Sequence, residues 1–258
     1  MVRNTTIDAY ESLPRPAIVV GNEFPDGHRI APHSHRRGQL LYGAAGVLMV
    51  TTEHGAWVVP PERAVWIPAG VRHELRMMGP ASTNSLYIEP EALPSLPRIC
   101  QVLGMSLLMR SLLQAAADLP IDYEPESRGA LIMALMLQEI QVLPVLPLSL
   151  PQPRDARLAQ HCRRFLAQPT PRDTIDHWSA ALGMSRRAFT RFFKRETGLS
   201  FALWRQQACV FVALPRLAAG ERVTTVALDL GYDSPAAFTS MFKRMLGAPP
   251  SRYFTAPP

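Results

Sequence analysis

The sequence predicts an α+β protein, with a small N-terminal β-barrel followed by helices and then an all-α C-terminal domain in which one helical unit is used twice. Three observations carry this expectation. Short runs of β-branched and aromatic residues, separated by Gly, Pro and Asp, fill residues 16–89. Beyond residue 97 that pattern gives way to stretches rich in Leu, Met and Ala that lack strand alternation. In the last third, the chain repeats itself at an offset of about 49 residues.

Taken in order, strands are expected at residues 17–20, 38–42, 47–52, 56–59, 64–67 and 85–88. Evenly spaced short strands with turn residues between them suit a small barrel or sandwich. Helices are expected at 98–117 and 126–142, apolar on most faces, so each must be buried. Two burial sites fit equally: the barrel of the same chain, or a homodimer interface. Residues 143–153 contain Pro144, Pro147, Pro151 and Pro153, which keep the segment extended as an interdomain linker. The expected division is therefore a sensor domain at 1–97, a helical dimerisation or packing segment at 98–142, a linker at 143–153 and the repeat domain at 154–258.

With 47% apolar and 19% charged residues, the chain can bury more than one core, which excludes a disordered protein. Its apolar stretches are broken well short of the roughly 18 to 20 residues that span a bilayer, and residues 1–10 lack a signal-like apolar run. Cys100, Cys162 and Cys209 are isolated and odd in number, which fits a reducing compartment and buried thiols. A cytoplasmic location with no membrane association is the expectation. From residue 153 onward there are 16 Lys and Arg against 7 Asp and Glu, whereas the preceding residues carry 11 against 14. The basic half is the nucleic-acid candidate.

The repeat gives that candidate a shape. Leu182-Gly183-Met184-Ser185 leads into Arg186-Arg187-Ala188-Phe189-Thr190-Arg191-Phe192-Phe193-Lys194-Arg195, and Gly198 follows. Leu230-Gly231-Tyr232-Asp233-Ser234 leads into Pro235-Ala236-Ala237-Phe238-Thr239-Ser240-Met241-Phe242-Lys243-Arg244, and Gly247 follows. A short helix, a Gly that tolerates positive φ, a Ser cap and a second helix are the parts of a helix-turn-helix. Ser234 is followed by Pro235 at the first helical position, a second start signal. Phe189 and Phe193, like Phe238 and Phe242, are four apart and face inward, which leaves Arg187, Thr190, Arg191 and Lys194 on the outer face. Arg can bond bidentately to guanine, and Lys and Arg neutralise phosphates. The second unit offers Ala236, Thr239 and Ser240 at the matching positions, which can meet a thymine methyl or make single hydrogen bonds but cannot clamp a guanine. The first unit is thus expected to carry most base readout, and the second to position the protein.

Residues 157–254 resemble the DNA-binding domain of the AraC/XylS family of transcription regulators. The resemblance rests on the stretch from Arg186 to Ser200, on Val226-Ala227-Leu228-Asp229-Leu230-Gly231-Tyr232, and on the ending Phe242-Lys243-Arg244 through Gly247 to Pro250-Ser251-Arg252-Tyr253. It implies a sequence-specific transcription regulator, such as an activator, whose two helix-turn-helix units are joined by a long linker helix and enter successive major-groove faces. It implies base-reading roles for Arg187, Thr190, Arg191, Ala236, Thr239 and Ser240, with Arg186, Lys194, Pro235 and Lys243 beside them in the DNA-binding set. The implied partners are double-stranded DNA, a small-molecule effector, RNA polymerase and a second copy of the chain. The linker helix is expected at 201–218, where Pro215 departs from the pattern by removing a hydrogen bond at a cost of roughly 3 kcal/mol in a straight helix. Cys209 is a second departure, standing where relatives often place Arg.

In the N-terminal part, Gly27, His33-Ser34-His35, Gln39 and Gly46 follow the spacing of the first cupin motif, with Gln in place of Glu, and Pro68-Ala69-Gly70-Val71-Arg72-His73 follows the second, with Met77 where Asn is usual. Residues 15–90 thus resemble a cupin barrel. In metal-binding cupins the corresponding residues converge on one ion, and positions i and i+2 of a strand face the same side. The resemblance implies a ligand pocket lined by His33, His35, Gln39, Trp66 and His73. Of these, His33, His35, Gln39 and His73 are candidate ligands of a divalent transition metal; a metal-free pocket is the other reading. Trp57 and Trp66 fit either core packing or a stacking wall. No acid/base or nucleophile pair stands out, so the chain is read as a non-enzyme, with a cupin metalloenzyme carrying an accessory basic DNA-binding domain as the alternative.

Overall fold

The structure, a computed structural model, describes residues 7–170 and 173–253. The leader reading at residues 1–6 and the C-terminal domain's last residues, 254–258, lie outside the described residues. The chain folds as two compact units, one running to Thr52 and from Trp57 to Leu146, the other comprising Glu53–Ala56 and the chain from Pro147 onward.

In the first unit, strands β1 (Ala17–Phe24), β2 (Arg29–His33), β3 (Gly38–Thr52), β4 (Gly55–Val59), β5 (Arg63–Ile67), β6 (His73–Ile88), β7 (Gln101–Gly104) and β8 (Val145–Leu146) build the sheet. Its order is β1-β6-β3-β5-β7-β8, with β2 beside β6 and β4 beside β3. The long strands β3 and β6 pair antiparallel, with register breaks between Gly43, Ala45 and Val47. At the break Gly46 has φ +75°, and a Cβ there would stand 2.6 Å from the carbonyl of Pro80, so only glycine fits. Bends of this kind let one antiparallel sheet fold over as a small barrel.

Register decides which side chains point inward. Leu40 lies opposite Trp66 and Leu86, whereas Gln39 lies opposite Ile67 and Tyr87. Directly paired residues share a face and neighbours alternate, so these two sets line opposite faces. The Leu40 face packs with Val19 and Leu103 under helices α1 (Leu107–Ala117) and α2 (Arg128–Glu139). Met109, Leu112 and Leu113 of α1, with Ile132, Met133 and Met136 of α2, supply the covering layer. Ser106 and Ser127 start these helices by accepting from the amides of Met109 and Ala130. The outer faces of both helices stay apolar: Leu107 is 74% exposed and Leu131 67%, with Leu108 and Leu135 beside them.

Four expectations need correction here. The helix expected at 98–117 starts only at Leu107, because Val102 and Leu103 pair with Val65 and Ala64 of β5 as strand β7. The linker expected at 143–153 is not wholly irregular: Val145 and Leu146 pair with Leu103 and Val102, and the Pro144 carbonyl accepts from the Gly104 amide. Proline supplies an acceptor at a sheet edge without needing a donor. The strands expected at 38–42 and 47–52 are one bent strand, and the strand expected at 85–88 extends back to His73.

The second unit opens with the short strand β9 (Ser149–Pro151) and continues with α3 (Ala156–Ala167), α4 (Ile175–Ala181), α5 (Arg186–Thr197), α6 (Phe201–Ala218), α7 (Val223–Asp229), α8 (Pro235–Leu246) and α9 (Pro250–Tyr253). Both long repeat helices begin alike and end alike. Ser185 accepts from the Ala188 amide and Ser234 from the Ala237 amide; Gly198 and Gly247 close the helices in the left-handed conformation. The linker helix α6 runs through Pro215 to Ala218, and the Pro215 carbonyl still accepts from Ala219. Next to it, Arg216 donates to both Glu221 and Asp229, which ties the end of α6 to α7. These two carboxylates raise the Arg216 pKa above its ordinary value. Cys162 and Cys209 are buried and Cys100 half-buried, all as free thiols, and burial pushes the Cys162 thiol up to about 12. Among the described residues, no helix is long and apolar enough to cross a membrane.

Candidate DNA-binding surface and barrel site

The repeat folds as two helix-turn-helix units, α4 to α5 and α7 to α8. Their first helices match at an offset of 48, since the Met184 amide donates to the Ser179 carbonyl and the Tyr232 amide to the Ala227 carbonyl. Their second helices match at 49, from Arg186 and Pro235. The second turn therefore holds one residue more, Tyr232 and Asp233 standing where the first has Met184 alone.

In the first unit, an aromatic core fixes the second helix. Phe189 and Phe193 are fully buried and pack on Trp178 with ring centroids 6.5 and 6.2 Å apart. Phe201 and Trp204 of α6 close the cluster, Trp178 lying 5.0 Å from Phe201 and 5.8 Å from Trp204. On the opposite side, Arg186, Arg187, Thr190, Arg191 and Lys194 are all exposed. Thr190 donates its hydroxyl proton to the Arg186 carbonyl at 2.8 Å, which leaves its lone pairs and methyl group facing out. Arg186 lies 3.4 Å from Asp176, a solvated pair worth little. Among the described residues, no hydrogen bond or ion pair engages the side chain of Arg187, Arg191 or Lys194.

The second unit has a smaller aromatic core: Tyr232, Phe238, Phe242 and Tyr253 stack in sequence at 5.3 to 5.7 Å. Ala236, Ser240 and Lys243 are exposed, while Pro235 and Thr239 are half-buried, so Thr239 offers less surface than its counterpart Thr190. Ser240 also lines a groove of about 390 Å³ between α6 and α8, together with Arg205 and Arg244. Sequence reasoning missed Arg205. Its Nε is buried without a hydrogen-bond partner, and its guanidinium lies 6.0 Å from the Phe165 and Phe201 rings. Only its place on the linker helix, one residue after the core Trp204, could have signalled it.

In the first unit of the chain, the barrel brings His33, His35, Gln39 and His73 together. His33 pairs with His73 across β2 and β6, and the ring centroids are 4.3 Å apart. One ring nitrogen from each of the three histidines lies within 4.8 Å of the others. Each Nδ1 faces a backbone carbonyl: His33 that of Ala31 at 2.9 Å, His35 that of Arg37 at 2.5 Å, and His73 that of Val71 at 2.8 Å. A carbonyl can only accept, so every Nδ1 carries the proton and every neutral ring presents an Nε2 lone pair. The His73 Nε2 is buried and has no partner. That of His35 lies 3.2 Å from the Gln39 Oε1, while the Gln39 amide nitrogen donates to Ser85 and Tyr87 at 2.9 and 3.0 Å. Burial lowers the pKa of His35 and takes that of His73 down to about 4, which favours neutral rings.

Trp66 does not join this set. It lies on the opposite face of the sheet, donates its indole N–H to the Pro97 carbonyl at 2.8 Å, and lines a separate cleft of about 410 Å³ beside Arg98. The one-residue step from the Gln39–Ile67 pair to the Leu40–Trp66 pair accounts for this. Trp57 is buried as well. Next to the histidines, Arg37 is fully buried: its guanidinium donates to the Leu13 and Arg15 carbonyls and pairs with Glu89 at 2.8 Å. Arg36 pairs with the same carboxylate.

Comparison with known proteins fits both surfaces. Residues 16–174 match the AraC-like ligand binding domain, and residues 178–256 match a helix-turn-helix domain. The chain is 36% identical over 221 residues to the HTH-type transcriptional regulator NimR of Escherichia coli K12, covering 86% of this chain and 81% of that one. It is 32% identical over 106 residues to the HTH-type transcriptional regulator RipA of Corynebacterium glutamicum, covering 41% of this chain and 31% of RipA. Among solved structures, ToxT from Vibrio cholerae aligns over 93% of this chain and 98% of its own, with 8% identity and a TM-score of 0.38. A ligand-binding domain followed by two helix-turn-helix units, and likeness to NimR over most of both chains, make this protein a member of the AraC family of transcriptional regulators.

Proposed function

We propose that this regulator reads DNA chiefly through α5, with Arg187, Thr190 and Arg191 on base edges and Arg186 and Lys194 on phosphates. The observation that carries the reading is the row of exposed, unengaged cations on α5, held rigid by the aromatic core behind it. Arg187 and Arg191 are one helical turn apart, and each can clamp a guanine. Ala236, Thr239 and Ser240 of α8 add a thymine methyl contact or single hydrogen bonds, while Pro235 starts the helix and Lys243, Arg205 and Arg244 meet phosphates. Selection from a random DNA pool by the purified protein tests this. A site spanning two successive helical turns is expected, and failure to enrich any sequence at near-physiological salt contradicts it.

The barrel is the effector site of this reading. His33, His35, Gln39 and His73 supply polar groups inside an otherwise apolar fold, the feature of a built ligand site. Trp66 contributes to the core rather than to the ligand. Effector binding shifts the DNA-binding state only through different affinity for two arrangements of the protein. The exposed leucines of α1 and α2 support a homodimer formed through those helices. Likeness to a transcriptional regulator supports control of transcription from the bound site, a cytoplasmic location and the absence of catalysis.

A further inference from the structure

We propose that the face of the sheet opposite the histidines carries a second small-molecule site: the cleft beside Trp66 takes a small apolar carboxylic acid, with Arg98 as the partner of its carboxylate. The cleft holds about 410 Å³, the size of a small-molecule site. Leu93, Pro94, Leu96 and Pro97 line it from one loop, and Trp66 and Ala69 line it from β5 and the residues that follow. Such a lining suits an apolar body. The loop is fastened in place: the Trp66 indole donates to the Pro97 carbonyl at 2.8 Å, the Leu96 amide donates to the Leu93 carbonyl, and two prolines restrict the backbone. A cleft set before binding costs its ligand little ordering. It shares no residue with His33, His35, Gln39 or His73, because the step from the Gln39–Ile67 pair to the Leu40–Trp66 pair puts the two sites on opposite faces.

Charge decides the class of ligand. Among the residues lining the cleft, only Glu89 and Arg98 are charged. Glu89 is already engaged: Arg36 forks its two oxygens at 2.6 and 2.8 Å, and the buried Arg37 guanidinium adds a third contact at 2.8 Å. A cationic ligand would have to compete with both arginines for it. Arg98 is exposed, and among the described residues no hydrogen bond or ion pair engages its guanidinium. A planar guanidinium with free donors meets a carboxylate bidentately. A monoanion therefore suits a cleft with one uncommitted cation at an apolar lining.

Calorimetric titration of the full chain with 2-naphthoate and with octanoate, each beside its neutral amide, tests the proposal. Saturable binding of at least one acid, one per chain and below about 1 mM, is expected, with the matching amide about tenfold weaker. Arg98→Gln is expected to bring the acid down to the affinity of the amide. Ala69→Trp fills the cleft and is expected to block acid and amide alike. Both positions are exposed, so circular dichroism should match wild type. No saturable binding of either acid overturns the proposal, and so does an acid that binds no better than its amide. Acid binding that either variant leaves unchanged puts the ligand elsewhere and also overturns it. The titration involves no DNA, so its outcome is independent of the reading of α5.

Discussion

Phe193 of the recognition helix meets Trp204 of the linker helix edge to face, with ring centroids 5.8 Å apart, and both side chains are buried. The contact joins the helix proposed to read bases to the helix that carries the second unit. Phe193→Ala is expected to destabilise the second unit by about 3 to 5 kcal/mol, because the ring's transfer energy and the cavity left behind both count. Thermal unfolding followed through the buried Trp178 and Trp204 should report it. A loss below about 1 kcal/mol would mean that the cluster does not hold α5.

The two helix starts offer a milder test. Ser185→Ala and Ser234→Ala each remove a side-chain acceptor from one orphan amide and are expected to cost about 1 kcal/mol apiece. The sites are in separate helices with no shared partner, so the double variant should lose the sum. Denaturant unfolding measures both.

Much of the second unit was legible because its signals are local. Ser caps, Gly stops and the four-residue spacing of Phe189 and Phe193 are written where they act. The extra residue of the second turn is visible as five residues from Leu230 to Ser234 against four from Leu182 to Ser185, but an offset of about 49 blurs the change from 48 before the turn to 49 after it. In the barrel, His33, His35, Gln39 and His73 were readable from spacing, but the sequence left Trp66 open between core and pocket wall because its side depends on register with β3. Strands β2, β7 and β8 also escaped. Arg29–His33 is largely exposed and carries no apolar alternation, and β7 and β8 exist through partners distant in sequence. The role of Arg216, beside the proline expected to disturb the linker helix, became visible only with Glu221 and Asp229 placed around it.

Arg216→Ala is expected to loosen the second unit from the linker helix. The variant should lose several-fold in affinity for a two-turn site while binding a one-turn fragment as wild type does. Fluorescence anisotropy on the two fragments separates these. Equal losses on both would show that Arg216 acts through general stability.

Leu107→Glu combined with Leu131→Glu tests the proposed dimer face. Both side chains are exposed, so folding should survive and the helical content stay unchanged. Light scattering is expected to find a dimer for wild type and a monomer for the double variant. A wild-type monomer, or a variant that stays dimeric, would place the interface elsewhere.

The central claim is that the first helix-turn-helix unit reads bases and the second positions the protein. Affinities of wild type, Arg191→Ala and Ser240→Ala for every single-base change of the selected site, at one fixed salt concentration, test it most directly. Arg191→Ala should lose about 1 to 3 kcal/mol of discrimination at one base pair, whereas Ser240→Ala should leave the profile nearly unchanged. An unchanged profile for Arg191→Ala, or a larger loss for Ser240→Ala, would contradict the account.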